Sequence, residues 1–362
     1  MRATRAVEKD RLVIHLVAVC PEKNGYGITK DTLDTMERLT TSLKGNRIDV
    51  EFKYVPIAFV NGLRRILLSE IPTVVVRDVQ ILDNSTKMIH EMLRHRVEML
   101  PINVKPEEAA VIRDTKIELR FLPPATPDLT RKTAVEVTTD DFVVDGPRKN
   151  VILKDRDLDT PLFFMNLQPS ESIHVKASLA VETKGSSQVC VATFKNHIDM
   201  EKAKLDKDSY VATAGDDETA RAELAKIFDN FEIQRSYSVD DMGRPFWFDF
   251  AVESIGVIPA RDLLMRAATV FKKKIEDWCN NPILREEDNW YSIETEEEGH
   301  TIGALAQILI YNQKVNYVSY RIVHPLLPKM IVRFNTKTEP EKVIAKFKEE
   351  AVALCETILK SV

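Results

Sequence analysis

The order of predicted elements repeats along the chain, and this repeat constrains the fold more than any other feature. Residues 47–280 and 290–362 each predict a strand, a helix, further strands and then a long helix. The first copy carries a long β-rich insertion. Each long helix has a wide apolar face that needs covering, so we expect the two copies to bury these helices against each other. We therefore predict an α+β fold with two like units in one chain.

The apolar spacing locates the main elements of each copy. Ile48, Val50, Phe52 and Tyr54 alternate with polar residues, which is typical of a half-buried strand. Ile71-Pro72 is expected to end the following helix, because proline disfavours helical geometry in the residue before it. Both long helices show apolar residues at helical spacing. The predicted interface between them consists of Leu264, Phe271, Trp278, Phe347 and Leu354.

The second copy predicts a helix that begins near Thr301, which we interpret as its N-cap. Thr338–Glu341 has the spacing of a capping box before the last long helix. Together these patterns predict four segments. They are a 1–46 extension of unassigned role, the first copy formed by 47–104 and 236–282, a β-rich insert at 105–235, and the second copy at 289–362.

Composition excludes several function classes. The net charge is −5 and the chain has only 11 glycines, which disfavours both a nucleic-acid coat protein and a glycine-rich phosphate-binding loop. The four cysteines are scattered, without a zinc-binding pair, and suggest reduced thiols. No apolar run is long enough for a membrane span. We expect a soluble intracellular protein, with cytoplasm, nucleus and virion all left open.

The spacing of the candidate catalytic and metal-binding residues also argues against such sites. His90 and His95 are five residues apart, so they do not share a helix face and we expect no metal there. Gly25 and Gly27 fit a turn. His300 and Thr301 lack the surroundings of a catalytic pair, since a capping threonine explains them better. An enzyme, such as a phosphotransferase or hydrolase with unfamiliar motifs, is therefore the weaker hypothesis.

The most concentrated motif runs from Asn61 to Thr73 and contains the adjacent arginines Arg64 and Arg65. Neighbouring residues on a helix project about 100° apart, so the two arginines reach separate surfaces beside the apolar stripe. Two interpretations remain open from the chemistry. The arginines either dock a partner that offers carboxylates or carbonyls, or form a solvated helix edge.

This stretch, N-G-L-R-R-I-L-L-S-E-I-P-T, together with H-R-V-E-M-L-P-I at 95–102, closely resembles the dimerisation core of alpha-like RNA polymerase subunits. These are the bacterial alpha amino-terminal domain, the archaeal D subunit and the third-largest subunit of eukaryotic polymerase II. Asn166–Pro169 resembles the insert domain of that family, and 248–256 with the following helix resembles the second half of its core.

The end of the chain resembles the smaller partner of that dimer, archaeal L or the eleventh subunit of polymerase II. The matching residues are His300-Thr301-Ile302-Gly303 and Tyr320-Arg321 with His324-Pro325. Both halves in one chain resemble the fused subunits of large DNA viruses. The sequence departs from the family in the insert. It lacks the metal-binding cysteine cluster of many cellular members, and its loop at 185–190 does not preserve the usual family motif.

The resemblance implies a non-catalytic assembly platform that docks the two large catalytic polymerase subunits and small accessory subunits. Nucleotide addition and its magnesium would belong to those partners, so we expect no catalytic residue, metal or cofactor here, only indirect contact with DNA or RNA, and no membrane. The alternative is a nucleic-acid-binding module acting through the insert. The predicted docking residues are Arg64, Arg65, Glu70, His95 and Arg96. The predicted structural residues of the second half are His300, Thr301, Gly303, His324 and Pro325.

Overall fold

A computed structural model gives the fold and confirms the α+β class, because helices and strands alternate along the chain. It describes residues 12–14, 45–122, 134–155, 158–183, 190–215, 217–324 and 326–361. The predicted turn at Gly25 and Gly27, and Pro325, lie outside these ranges. Of the 1–46 extension only Leu12–Ile14 and the residues from 45 onwards are described, and Leu12–Ile14 is a strand.

The helices within the described ranges are α1 (Ile57–Ser69), α2 (His90–Glu98), α3 (Ala109–Asp114), α4 (Met200–Ala212), α5 (Glu218–Asn230), α6 (Ala260–Cys279), α7 (His300–Asn312) and α8 (Pro340–Ser361). The strands are β1 (Leu12–Ile14), β2 (Arg47–Lys53), β3 (Thr73–Asn84), β4 (Lys116–Phe121), β5 (Val135–Thr138), β6 (Val143–Asp145), β7 (Phe163–Leu167), β8 (Ile173–Glu182), β9 (Cys190–Asn196), β10 (Trp247–Ser254), β11 (Ile283–Arg285), β12 (Trp290–Thr295), β13 (Tyr317–His324) and β14 (Leu327–Asn335).

Residue contacts divide the chain into two compact units. The first comprises Met1–Leu67, Ala192–Glu253 and Ala260–Val362, and the second comprises Leu68–Val191 and Ser254–Pro259. The first unit therefore holds the two long helices α6 and α8 together. The domain boundaries expected from the sequence stay a prediction.

Two four-stranded sheets and the long helices form the first unit. One sheet has the order β1-β2-β10-β9 and the other β11-β12-β14-β13. In the first sheet, Phe52 lies opposite Phe248 and Val50 opposite Phe250, and all four are buried. The alternation of buried and exposed residues along β2 and β10 directs one sheet face to the core. Strand β2 agrees with the alternation read from the sequence.

The second unit is built on a four-stranded sheet, β3-β8-β4-β6, with the strand pair β5-β7. Its core consists of aliphatic and aromatic side chains from this sheet, from β5 and β7 and from α2. Helix α2 contributes Leu93 and Val97, which are fully buried against β3 and its neighbours. This unit contains strands β4 to β8, which lie in the β-rich insert that the sequence predicts at 105–235.

The predicted β-rich insert at 105–235 contains a helix that the sequence did not indicate. Met200–Ala212 forms α4, whose N-cap Asp199 accepts hydrogen bonds from the backbone N–H groups of Glu201 and Lys202. The predicted cap of α7 was wrong. Thr301 was expected to cap α7, but the N-cap is Gly299 and makes no side-chain capping bond. Thr301 lies inside the first turn of α7, where its hydroxyl has another partner.

Candidate partner-docking and helix-pairing site

The pairing of α6 and α8 joins the two halves of the first unit. The structure places all five predicted interface residues in the core, each at most 2% exposed. Trp278 of α6 meets Phe347 of α8 edge to face, with ring centroids 5.2 Å apart. Edge-to-face pairs of this kind stabilise beyond the area that they bury. Pairing therefore rests on aromatic and aliphatic side chains that neither helix could expose to water without cost.

Two ion pairs border this apolar contact. Lys272 Nζ lies 2.7 Å from Glu356 Oε1 on α8, and this hydrogen bond raises the pKa of Lys272 and lowers that of Glu356. Lys274 Nζ lies 3.1 Å from Glu298 Oε1, just before α7, and both side chains are largely buried. The ion pairs thus connect α6 to two separate elements of the second half.

Helix α1 also contributes to the contact between the halves. The ring of Phe59 stacks on that of Phe271, with centroids 5.2 Å apart. A Cβ atom at Gly62 would lie only 2.7 Å from Cζ of Phe271 and 3.3 Å from Cγ2 of Thr301. A side chain at position 62 would therefore force the ring of Phe271 or the neighbouring helices to shift.

The two predicted docking arginines of α1 have different surroundings. Arg64 is partly buried, and its Nε donates a hydrogen bond to Oδ1 of Asn61 at 3.1 Å. Arg65 is exposed, and its Nε donates to Oγ1 of Thr301 at 3.0 Å. The hydroxyl interpreted as a cap for α7 therefore orients an arginine from the other half of the chain.

The other three predicted docking residues lie in the second unit. His95 is exposed and Glu70 is partly buried. Arg96 is also exposed, but its Nη2 donates to the backbone carbonyl of Phe164 and its guanidinium lies 5.6 Å from the centre of the Phe164 ring. Arg96 thus anchors α2 to β7, a role that the sequence did not reveal.

Three of the predicted structural residues of the second half, His300, Gly303 and His324, lie at or beside β13. A Cβ atom at Gly303 would lie 2.5 Å from Cδ2 of Tyr320 and 2.6 Å from Sδ of Met330, so glycine lets α7 lie close on β13 and β14. Nδ1 of His300 lies 3.3 Å from the hydroxyl of Tyr320. At the end of β13, Nδ1 of His324 accepts a hydrogen bond from the N–H of Leu326.

In the described ranges, no three His, Cys, Asp or Glu side chains are grouped closely enough to hold a metal ion. Burial raises the pKa of Cys190, Cys279 and Cys355 to about 12, which disfavours the reactive thiolate form. No helix in this part of the chain has both the length and the apolar character that a membrane crossing needs.

Comparison with known proteins gives relatives that are named as RNA polymerase subunits. The DNA-directed RNA polymerase subunit Rpo3 of Methanocaldococcus jannaschii is 46% identical over 63 residues, covering 17% of this chain and 33% of the relative. Rpo3 of Aeropyrum pernix is 28% identical over 143 residues, covering 36% of this chain and 47% of the relative. The DNA-directed RNA polymerase II subunit RPB3 of Schizosaccharomyces pombe is 23% identical over 252 residues, covering 65% and 83%. The chain thus spans between a third and a half of the length of these two archaeal relatives.

Two family models, both described as the RNA polymerase Rpb3/Rpb11 dimerisation domain, match successive parts of the chain at residues 49–275 and 291–361. These matches confirm the resemblance to alpha-like subunits and the presence of two such units in one chain. The resemblance to fused viral subunits stays a prediction. Because the first match covers more than half of the 362 residues, the chain belongs to the Rpb3/Rpb11 dimerisation-domain family of RNA polymerase subunits.

Proposed function

We propose that this chain is a non-catalytic assembly platform of a DNA-directed RNA polymerase, in which the two halves form an intramolecular alpha-like dimer that docks the two large catalytic subunits. The observation that carries the proposal is the presence of two dimerisation-domain matches on one chain, with α6 and α8 paired through buried aromatic side chains. The relatives named as RNA polymerase subunits support the same role.

The proposed docking contact uses Arg65 on the exposed side of α1. Its Nε is committed to Thr301, which fixes the direction of the guanidinium. A guanidinium held in one orientation loses less conformational entropy when it binds a carboxylate or carbonyl of a partner. Nucleotide addition and the metal ion that it requires would be supplied by the docked subunits.

Affinity purification of the tagged full-length chain, from cells that make the polymerase, tests this role. We expect the two large subunits to co-purify with the wild type and to be lost from the double variant Arg64→Glu/Arg65→Glu. The fold should be retained, because Arg65 is exposed and the loss of its hydrogen bond to Thr301 costs no more than about 1.5 kcal/mol. Arg64 bonds to Asn61 on the same helix.

A charge-matched control separates docking from the general effect of two charge reversals. Arg113 and Arg235 have side chains 77% and 81% exposed, so Arg113→Glu/Arg235→Glu makes the same change elsewhere. This control should recover the large subunits at the wild-type yield. Normal recovery by Arg64→Glu/Arg65→Glu would show that these arginines are not the docking contact, and a wild type that recovers no polymerase subunit would contradict the assembly role itself.

A further inference from the structure

The first half of the chain, with α1 and α6, and the second half, with α7 and α8, share one helical register. Helices α6 and α8 bury the same face when Leu263 is placed on Val343, because every buried residue of α8 except Leu354 then falls on a buried residue of α6. The exception, Leu354, falls on Lys274. A position that holds a buried aliphatic side chain in the second half therefore holds an ammonium group in the first.

The segments that precede α1 and α7 differ in a similar way. Both helices have 13 residues, and their buried faces coincide when Ile57 is placed on His300, with Ala58 as the one buried residue of α1 that falls on a partly buried one. Val55 and Glu298 are then counterparts, because each lies two residues before its helix. Val55 is apolar and 1% exposed, so the carboxylate of Glu298 has no equivalent in the first half.

Lys274 and Glu298 meet where the two halves touch. Lys274 Nζ lies 3.1 Å from Glu298 Oε1, and the two side chains are only 17% and 12% exposed. Each charge is therefore largely removed from water and is compensated by a charge from the other half. Separation of such a pair is costly, because each charge stays desolvated without its counter-ion.

Pairing of two like halves would separate these charges. If two first halves met in the observed geometry, Lys274 of each would face Val55 of the other. Two second halves would likewise set Glu298 of each against Leu354 of the other. Only the combination of a first half with a second half brings the ammonium and carboxylate groups together, whereas the buried apolar positions are alike in both halves.

The other ion pair that α6 makes with the second half does not discriminate in this way. Lys272 meets Glu356, whose counterpart in the register of α6 and α8 is Glu276. Two first halves would therefore still offer a carboxylate to Lys272. Of these two ion pairs, only the one between Lys274 and Glu298 distinguishes an unlike half from a like one.

We infer that the Lys274–Glu298 ion pair selects the partner within this family of like units: it admits a second half to a first half and rejects another copy of the same half. The inference rests on the proposed pairing of the halves and adds the contact that makes pairing selective. Selectivity of this kind comes from a penalty on the wrong partner, in this case a desolvated charge opposite an aliphatic side chain.

Two full-length variants with opposite charge reversals test the selection. Lys274→Glu opposes two carboxylates within one chain, and Glu298→Lys opposes two ammonium groups. Produced together with different affinity tags, the two variants regain an ion pair at both contacts by exchanging halves, one pair native and the other reversed. We expect the tags to co-purify at least about tenfold better than two differently tagged copies of either variant. Light scattering should give twice the single-chain mass of 41.3 kDa.

Two controls separate selection from a general effect of charge. Lys273→Glu and Glu297→Lys make the same reversals one residue earlier, at exposed positions, and should stay single chains that do not co-purify. Lys274→Glu/Glu298→Lys in one chain reverses the ion pair without removing it. This double variant should be a single chain with a urea midpoint close to that of the wild type.

The outcomes separate this inference from the proposed function. Co-purification of the two variants no better than that of two copies of one variant would overturn the selection, as would single variants that keep the wild-type mass and urea midpoint. If each variant aggregates when made alone, joint production must still yield the soluble two-chain complex, and continued aggregation would also overturn it. These results leave the assembly role intact, whereas co-purification of two differently tagged wild-type chains would contradict the intramolecular dimer itself and the selection with it.

Discussion

Gly62 and Gly303 each lie in the helix that follows the first long strand of their half, and each stands where a side chain would collide with an aromatic ring. At Gly62 the ring belongs to Phe271 of α6, and at Gly303 it belongs to Tyr320 of β13. A single methyl group at either position must displace well-packed atoms. Close packing thus explains both glycines without any need for unusual backbone angles.

Gly303→Ala is the direct test of this packing. The added Cβ would lie 2.5 Å from Tyr320 and 2.6 Å from Met330, so we expect a loss of about 1–3 kcal/mol in the free energy of unfolding. Urea denaturation measures it. The control Ala304→Ser adds one atom at the next, partly exposed position of α7 and should change stability far less. Equal stability of Gly303→Ala and the wild type would contradict the close contact.

Thr301→Val tests whether α7 orients Arg65. The substitution keeps the shape but removes the hydroxyl that accepts from Arg65 Nε. We expect a stability loss of no more than about 1.5 kcal/mol, together with reduced recovery of the large polymerase subunits. Thr301→Ser keeps the hydroxyl and should restore recovery. If Thr301→Val docks its partners normally, the orientation of Arg65 is not needed for binding.

Glu350 gives the stability of the fold a pH dependence. Burial raises the pKa of its carboxyl to about 7 from the ordinary 4.5, and Lys346, with Nζ 4.0 Å away, opposes this only in part. The folded chain therefore holds a proton that the unfolded chain releases, so the contribution of Glu350 to stability is complete below pH 4.5 and is lost as the pH rises through 7.

Glu350→Gln should remove this dependence. Relative to the wild type, the variant should gain stability between pH 5 and pH 8, because the wild type alone must ionise a buried carboxyl as the pH rises. Unfolding free energies of both proteins at the two pH values give the comparison, in which other titrating groups cancel. A difference that stays constant across this range would show that Glu350 titrates normally.

At the scale of elements, Phe347→Asp tests the pairing of α6 and α8. Phe347 is fully buried against Trp278, so a carboxylate there would be desolvated without a partner and should unfold the paired helices. Circular dichroism and size-exclusion chromatography would detect this loss. Met265→Asp, on the exposed side of α6, is the control and should remain folded. A stable, compact Phe347→Asp protein would contradict burial at this position.

The sequence predicts elements well where burial is periodic and poorly where it is not. The long helices α6 and α8 have continuous apolar faces, and both were found. Helix α4 buries only Ala203, so no apolar stripe marks it, and its N-cap Asp199 was the one local signal available. The general lesson is that hydrophobic periodicity reports packing, and an element with little packing leaves little trace.

The candidate site was predictable in its residue types but not in its contacts. Thr301 precedes an apolar helix and so resembled a cap, yet its partner Arg65 lies 236 residues away in sequence. Arg96 belongs to a motif that indicated docking, but its guanidinium binds Phe164 within the same unit.

At the scale of the whole molecule, the junction between the halves can be cut to test whether they hold together without a covalent link. A protease site replacing Asn280-Asn281-Pro282, where residues 280 and 282 are exposed, should yield two fragments that co-purify after cleavage. Expressed alone, each fragment should aggregate, because it would expose the apolar face of α6 or α8. Fragments that separate and stay soluble would contradict helix pairing between the halves.

The shortness of that junction has a consequence for how pairing depends on protein concentration. Only residues 280–282 separate the end of α6 from β11, which already belongs to the sheet of the second half. Association of the two halves is then intramolecular, and its rate does not depend on the protein concentration. The short tether holds the halves at an effective concentration in the millimolar range. Diluting the intact chain leaves the paired fraction unchanged, whereas diluting the cleaved chain lowers it. A cell that makes few copies of this polypeptide therefore still obtains the two halves paired in every copy.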